Sequence, residues 1–208
     1  MPTYLSVNFQ YSKRLLSGQT VREFCDALLR CGLTFAGGYW EAEGNSYDDI
    51  VGWNQAKLEQ NFELPEDAHY THGYRQMLFS FGDFSEVRLY ILNERKEPFF
   101  SFELIVPEEV LLTEETATGQ RLQSRPFAMI EDLAVRMWEE GQMDCIQAYW
   151  EIGDRPKPFA DIAAGVQPCC MPFCVIPRQV LRDKWKAPCR QVGRNGCLIR
   201  DIDMFMLV

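Results

Sequence analysis

Residues 77–91 read Met-Leu-Phe-Ser-Phe-Gly-Asp-Phe-Ser-Glu-Val-Arg-Leu-Tyr-Ile. Met77, Phe79 and Phe81 alternate along one strand, and Val87, Leu89 and Ile91 along a second. A period of two is what a strand with a buried face requires. Gly82-Asp83 supplies the turn chemistry between them. Residues 93–98, closed by Pro98, lead to a third strand, Phe99 to Val106. The spacing predicts an antiparallel meander.

On either side of this meander the pattern becomes strand, helix, strand. Leu5, Val7 and Phe9 alternate with polar Ser6 and Asn8, the mark of a half-buried strand. Thr20 and Glu23 then form a capping-box pair. Val21, Phe24, Cys25, Leu28 and Leu29 follow at helical spacing, and Gly32 can take the left-handed position that ends the helix. Leu33 to Glu41 is the return strand, where Gly37-Gly38 marks a bulge or a close backbone approach. Ser124 opens a second helix, with Pro126 in its first turn and Phe127, Ile130, Ala134, Met137 and Trp138 along its apolar face. Gly141 ends it, and Met143 to Ile152 is a strand. One unit closes on Tyr39-Trp40-Glu41, the other on Tyr149-Trp150-Glu151. Equivalent positions predict that Trp40 and Trp150 are both buried. The fold class is therefore α+β: an antiparallel-rich sheet with helices 20–31 and 124–140 on one face. Its two strand-helix-strand units point to a ferredoxin-like or duplicated layout.

At 208 residues the chain is expected to form one domain. Residues 42–74 read as an acidic helical insertion, with Ser46 capping a helix that carries Tyr47, Ile50, Val51, Trp53, Leu58 and Phe62. Pro156, Pro158, Gly165 and Pro168 mark residues 153–170 as a connector. A strand at Phe173–Ile176, a short basic helix after Pro177, a hairpin at Asn195-Gly196 and a buried final strand complete the chain.

The formal charge is −9, and it is unevenly spread: residues 155–208 carry 9 basic and 4 acidic side chains. A net acid is poorly suited to nucleic acid, because phosphate contacts dominate that affinity. It favours a basic protein partner. No run of apolar residues reaches the roughly 18 needed for a membrane helix, so no membrane partner is expected. The first residues show no export signal, which points to a cytoplasmic protein.

The eight cysteines contain no C-x-x-C pair. A two-residue Asn195-Gly196 loop would set Cys189 five residues beyond the partner of Cys197, on the opposite face. At about 3.4 Å per residue that is roughly 17 Å, which predicts neither a bridge nor a shared zinc. Buried free thiols, no metal and no cofactor are the expectation. His69 and His72 lack the spacing of a zincin motif and sit among turn residues. Glu108-Glu109, Glu114-Glu115 and Glu139-Glu140 are sequence neighbours, which do not face each other. Serine-hydrolase and phosphate-loop motifs are lacking, so the chain leans away from enzymes.

The stretch from Tyr39 to Asp67 sets eight carboxylates against Lys57 alone. Strand alternation puts Tyr39, Glu41 and Glu43 on one side, Asp48 and Asp49 follow, and Trp53 adds an aromatic. Aromatic anchors beside carboxylates are what a site for a basic protein would use. Tyr39, Glu41, Glu43, Asp48, Asp49 and Trp53 are therefore the candidate binding residues. The functional expectation is an acidic binding protein, such as an immunity protein that neutralises a basic bacterial toxin. A small-molecule-binding domain or enzyme with its pocket on the sheet is the alternative.

Overall fold

The computed structural model describes residues 4–64, 73–113, 121–185, 188–201 and 206–207. His69, His72, Glu66, Asp67, Glu114-Glu115 and most of the expected final strand lie outside them. Eleven strands and four α-helices are described. The strands are β1 Tyr4–Ser12, β2 Thr34–Tyr39, β3 Gln76–Phe81, β4 Phe84–Leu92, β5 Phe99–Pro107, β6 Arg121–Leu122, β7 Cys145–Trp150, β8 Phe173–Pro177, β9 Cys189–Val192, β10 Gly196–Arg200 and β11 Met206–Leu207. The helices are α1 Thr20–Arg30, α2 Tyr47–Glu59, α3 Ser124–Glu140 and α4 Phe159–Ala164. Nine strands form one sheet in the order β2-β3-β4-β5-β1-β7-β8-β10-β9, and β11 pairs with β6 in a second, parallel pair. The α+β class and the antiparallel meander stand as read. No helix among the described residues is long and apolar enough to cross a membrane.

The chain divides into two compact units, residues 10–105 and residues 1–9 with 106–208. In the first, the β3–β4 corner is the two-residue Gly82-Asp83 turn, since Phe81 pairs with Phe84 and Gly82 is left-handed at φ +55°. The faces of Met77, Phe79, Val87, Leu89 and Ile91 are all buried. Phe24 of α1 stacks on Phe102 at 3.8 Å between centroids, and Tyr11 meets both rings edge-on. Such pairs add about 0.5–1.5 kcal/mol beyond the area they bury. Gly32 ends α1 at φ +97°, as its position required.

The start of α1 differs from the expected capping box. The Thr20 hydroxyl accepts from Ser17 N at 2.8 Å, and the free Val21 N–H instead donates to Gln55 of α2 at 2.9 Å. Gln55 also donates to the Ser17 carbonyl at 2.8 Å. A buried amide from one helix thus caps its neighbour, a pairing invisible in either helix alone.

In the second unit, α3 packs Phe127 against Phe173, 6.0 Å between centroids. Ile162 of α4 clusters with Cys174 and Ile176. Successive β8 residues point to opposite faces, so α3 and α4 cover opposite sides of the strand. Helix α4 thus adds a layer that the expected pair of helices, 20–31 and 124–140, did not include. The connector, read as loop, contains a helix of its own. Glu131 of α3 is 3% exposed and accepts from Arg190 and Arg200, which pins the terminal hairpin to the helix.

That hairpin corrects the cysteine reading. Val192 pairs with Gly196, so the loop is the three residues Gly193-Arg194-Asn195. Gly193 takes the left-handed conformation at φ +54°. Gly196 belongs to the strand because Trp138 lies over it: a Cβ there would stand 2.4 Å from the indole nitrogen. Cys189 now faces Ile199, two residues from Cys197 and on the same face. The two are bridged, with Cα atoms 5.7 Å apart. Cys25, Cys31, Cys145, Cys169, Cys170 and Cys174 are free and buried. Burial pushes the Cys25, Cys145, Cys170 and Cys174 thiols up, and Cys169 to about 11. Reaction needs thiolate. Native protein should therefore label slowly with iodoacetamide. Denatured, unreduced protein should take up six labels, and reduced protein eight. Eight labels without reduction would remove the bridge.

Trp150 is buried at 9% exposure, but Trp40 is 59% exposed. The strand β2 ends at Tyr39, and Trp40–Ala42 turns as a 3₁₀ segment, so alternation does not carry to Trp40. The two strand-helix-strand stretches also sit differently. Three strands separate β1 from β2, while β1 alone separates β5 from β7. The expected β1, half-buried, is instead buried on both faces, Ser6, Asn8 and Gln10 included.

Candidate aromatic cleft

The cleft begins at the paired glycines of β2. The β2–β3 register shifts between Phe35 and Gly37, the expected bulge. At Gly38 an added Cβ would lie 1.9 Å from the Ala42 carbonyl oxygen, so the following turn folds down on bare backbone. Ala42, 1% exposed, anchors that turn. Trp40 sits in it at φ +58°. A bulky residue held in the left-handed region costs about 1–3 kcal/mol and persists where its surroundings over-determine it. Here the Gly38–Ala42 contact does so and turns the indole out to solvent.

Helix α2 brings the second tryptophan. Ser46 and Asp49 form a full capping box at its start. Ile50, Val51 and Leu58 are buried, and Trp53, 41% exposed, faces out. The Asn54 side chain clasps the Arg75 backbone from both sides, at 2.8 Å to its N–H and 2.8 Å to its carbonyl. That clamp sets the Arg75 guanidinium over the Trp53 ring at 4.1 Å. Lys57, one turn along α2, lies 5.1 Å from the same ring. Tyr39 pairs with Gln76 across β2–β3, and Arg88 covers its ring at 4.9 Å. Tyr74 forms the floor. Its hydroxyl donates to the Phe62 carbonyl at 2.6 Å and accepts from Asn93, and burial pushes its pKa up to about 12.

The result is a cleft of about 190 Å³ whose lining includes Tyr39, Trp40, Glu41, Trp53, Arg75 and Gln76. That is below the roughly 300–1,000 Å³ of small-molecule pockets. It is the size for one side chain of a partner.

Of the six residues singled out in the sequence, Tyr39, Glu41 and Trp53 come together here. Glu43 is exposed in the turn beyond. Asp48 forms an ion pair with Arg22 at 2.6 Å. Asp49 caps α2, and hydrogen bonds from the Ser46 side chain and backbone hold its carboxyl below its usual range. Trp40, Arg75 and Gln76 escaped the sequence reading. Trp40 looked like core, and Arg75 and Gln76 reach the cleft only through the β2–β3 register.

No protein-family model and no curated protein matches the chain. Among solved structures, the Pseudomonas aeruginosa T6SS protein PA0821 is similar at a TM-score of 0.44 and 13% sequence identity, over 95% of this chain. The chain spans 65% of the length of that protein.

Proposed function

We propose that the chain is a binding protein for a basic protein partner, neutralising it in the manner of an immunity protein. The single observation that carries this reading is Trp40. An aromatic turned to solvent in a left-handed conformation contributes nothing to the core, and the fold holds it there beside Trp53 and Tyr39. Trp, Tyr and Arg are the residues that dominate binding energy at protein interfaces. The net charge of −9, with Glu41 and Glu43 exposed near the cleft, supports a basic partner. Carboxylates at a rim act on encounter, while a desolvated aromatic acts on dissociation.

The test is capture of a partner by the whole chain, followed by stopped-flow kinetics at several salt concentrations. Glu41→Lys with Glu43→Lys should slow association and flatten its salt dependence. Trp40→Ala should speed dissociation by about 30-fold, the equivalent of about 2 kcal/mol at an interface hot spot. Trp40→Ala should leave thermal stability intact or raise it, since the strained backbone loses only an exposed side chain. A partner whose rates are unchanged by both variants would move the interface away from the cleft.

A further inference from the structure

We propose that Arg75 and Gln76 form a receptor for a carboxylate, an Asp or Glu side chain that the partner inserts into the cleft. The assignment rests on the partner-binding reading above and names what the partner presents. Arg22, Arg88, Arg136, Arg190 and Arg200 each pair with a carboxylate of this chain. Arg75 does not: its guanidinium stacks on Trp53 and meets no hydrogen-bond acceptor among the described residues. Gln76 is the second observation. It lines the same cleft at 8% exposure, and its side-chain amide makes no hydrogen bond to a described residue. Its amide atoms are not among the sealed, unpartnered polar atoms of the described residues, so the cleft leaves them open to water or to a ligand.

The chemistry of the pair selects the occupant. A guanidinium offers a planar fork of N–H donors that matches a carboxylate, and stacking on an aromatic face fixes that plane in advance. The Gln76 amide adds a further donor beside it. The cleft volume fits one acidic side chain, and Trp40 stands at the mouth to close over its apolar stem. The rim carboxylates then act at long range on a basic partner, and this contact sets the register in which it docks.

The experiment uses the whole chain and three probes: N-acetyl-glutamate amide, its neutral isostere N-acetyl-glutamine amide, and inorganic phosphate. Binding is read from the Arg75 Nε and Trp53 indole NMR signals. The glutamate probe should shift both signals and bind at least ten-fold more tightly than the glutamine probe. Arg75→Gln should weaken it about ten-fold or more, the usual effect of losing a hydrogen bond to a charged group. Arg75→Lys keeps the charge without the fork and should recover part of that loss. Gln76→Leu should weaken the glutamate probe as well. Unchanged melting temperatures would show that these variants fold. Equal binding of the two amide probes, tighter binding of phosphate, or a response that survives Arg75→Gln would each overturn the receptor. Partner capture is scored separately. A partner that binds wild type and Arg75→Gln alike, with no probe response, defeats the receptor alone. Probe binding without any protein partner supports the receptor and defeats the partner-binding reading.

Discussion

Gln147→Leu should destabilise the second unit by about 3–5 kcal/mol and release the segment after β7. Gln147 is fully buried in β7. Its side-chain oxygen accepts from Lys157 N and Cys169 N, both at 3.0 Å, and its nitrogen donates to the Lys157 carbonyl at 2.8 Å. One amide therefore serves three backbone groups of a segment rich in proline. Leucine keeps the volume and removes every one of those partners. Each buried backbone group left unpaired costs about 1–3 kcal/mol, and Lys157 can recover part of its loss from water because it is only half-buried. The expected total is a large share of a typical domain's 5–15 kcal/mol. Urea denaturation measures the sum. Amide exchange at Lys157 and Cys169, and proteolysis between residues 151 and 168, locate it. A loss under about 1 kcal/mol with unchanged exchange would mean that Ile162 of α4 holds this segment by apolar burial without help.

Gly38→Val should dismantle the cleft and cost about 1–3 kcal/mol, the range for forcing extra atoms into a filled site. The atoms in the way are the Ala42 carbonyl oxygen at 1.9 Å and carbon at 2.5 Å from the new Cβ. Backbone cannot swing aside as a side-chain tip can, so the 40–42 turn must lift and Ala42 must leave its buried place. Trp40 then loses the constraint that presents it. Partner retention should fall further than the stability loss alone accounts for. Gly52→Ala is the matched control: nothing lies within 4 Å of its Cβ on exposed α2, and alanine there should stabilise by about 0.5–1 kcal/mol. Native-like Trp40 emission and partner binding in Gly38→Val would show that the turn does not depend on the glycine.

The sheet meander, the helices at 20–30, 47–59 and 124–140, the bulge at Gly37-Gly38 and the half of the cleft made by Tyr39, Glu41 and Trp53 were legible in the residues. Each depends on a period or a local steric rule that needs no distant partner. Alternation reveals which face of β3 and β4 is buried because their exposed faces stay polar enough to contrast. It misread β1, whose polar residues are buried in the middle of the sheet order.

The remaining features required distant residues to meet. A turn signal at Asn195-Gly196 lost to the register that Trp138 imposes from α3, and with it the expected separation of Cys189 and Cys197 was reversed. Trp40 continued a strand pattern, but the contact between Gly38 and Ala42 ended the strand two residues earlier than expected, at Tyr39, and turned the indole outward. Local sequence determined where strands and helices form, because backbone propensity and side-chain period act within a few residues. The tertiary structure alone decided which polar groups remain without partners, since that depends on every neighbour at once; Arg75 and Gln76 became candidates for binding only when β2, β3 and α2 were folded around them.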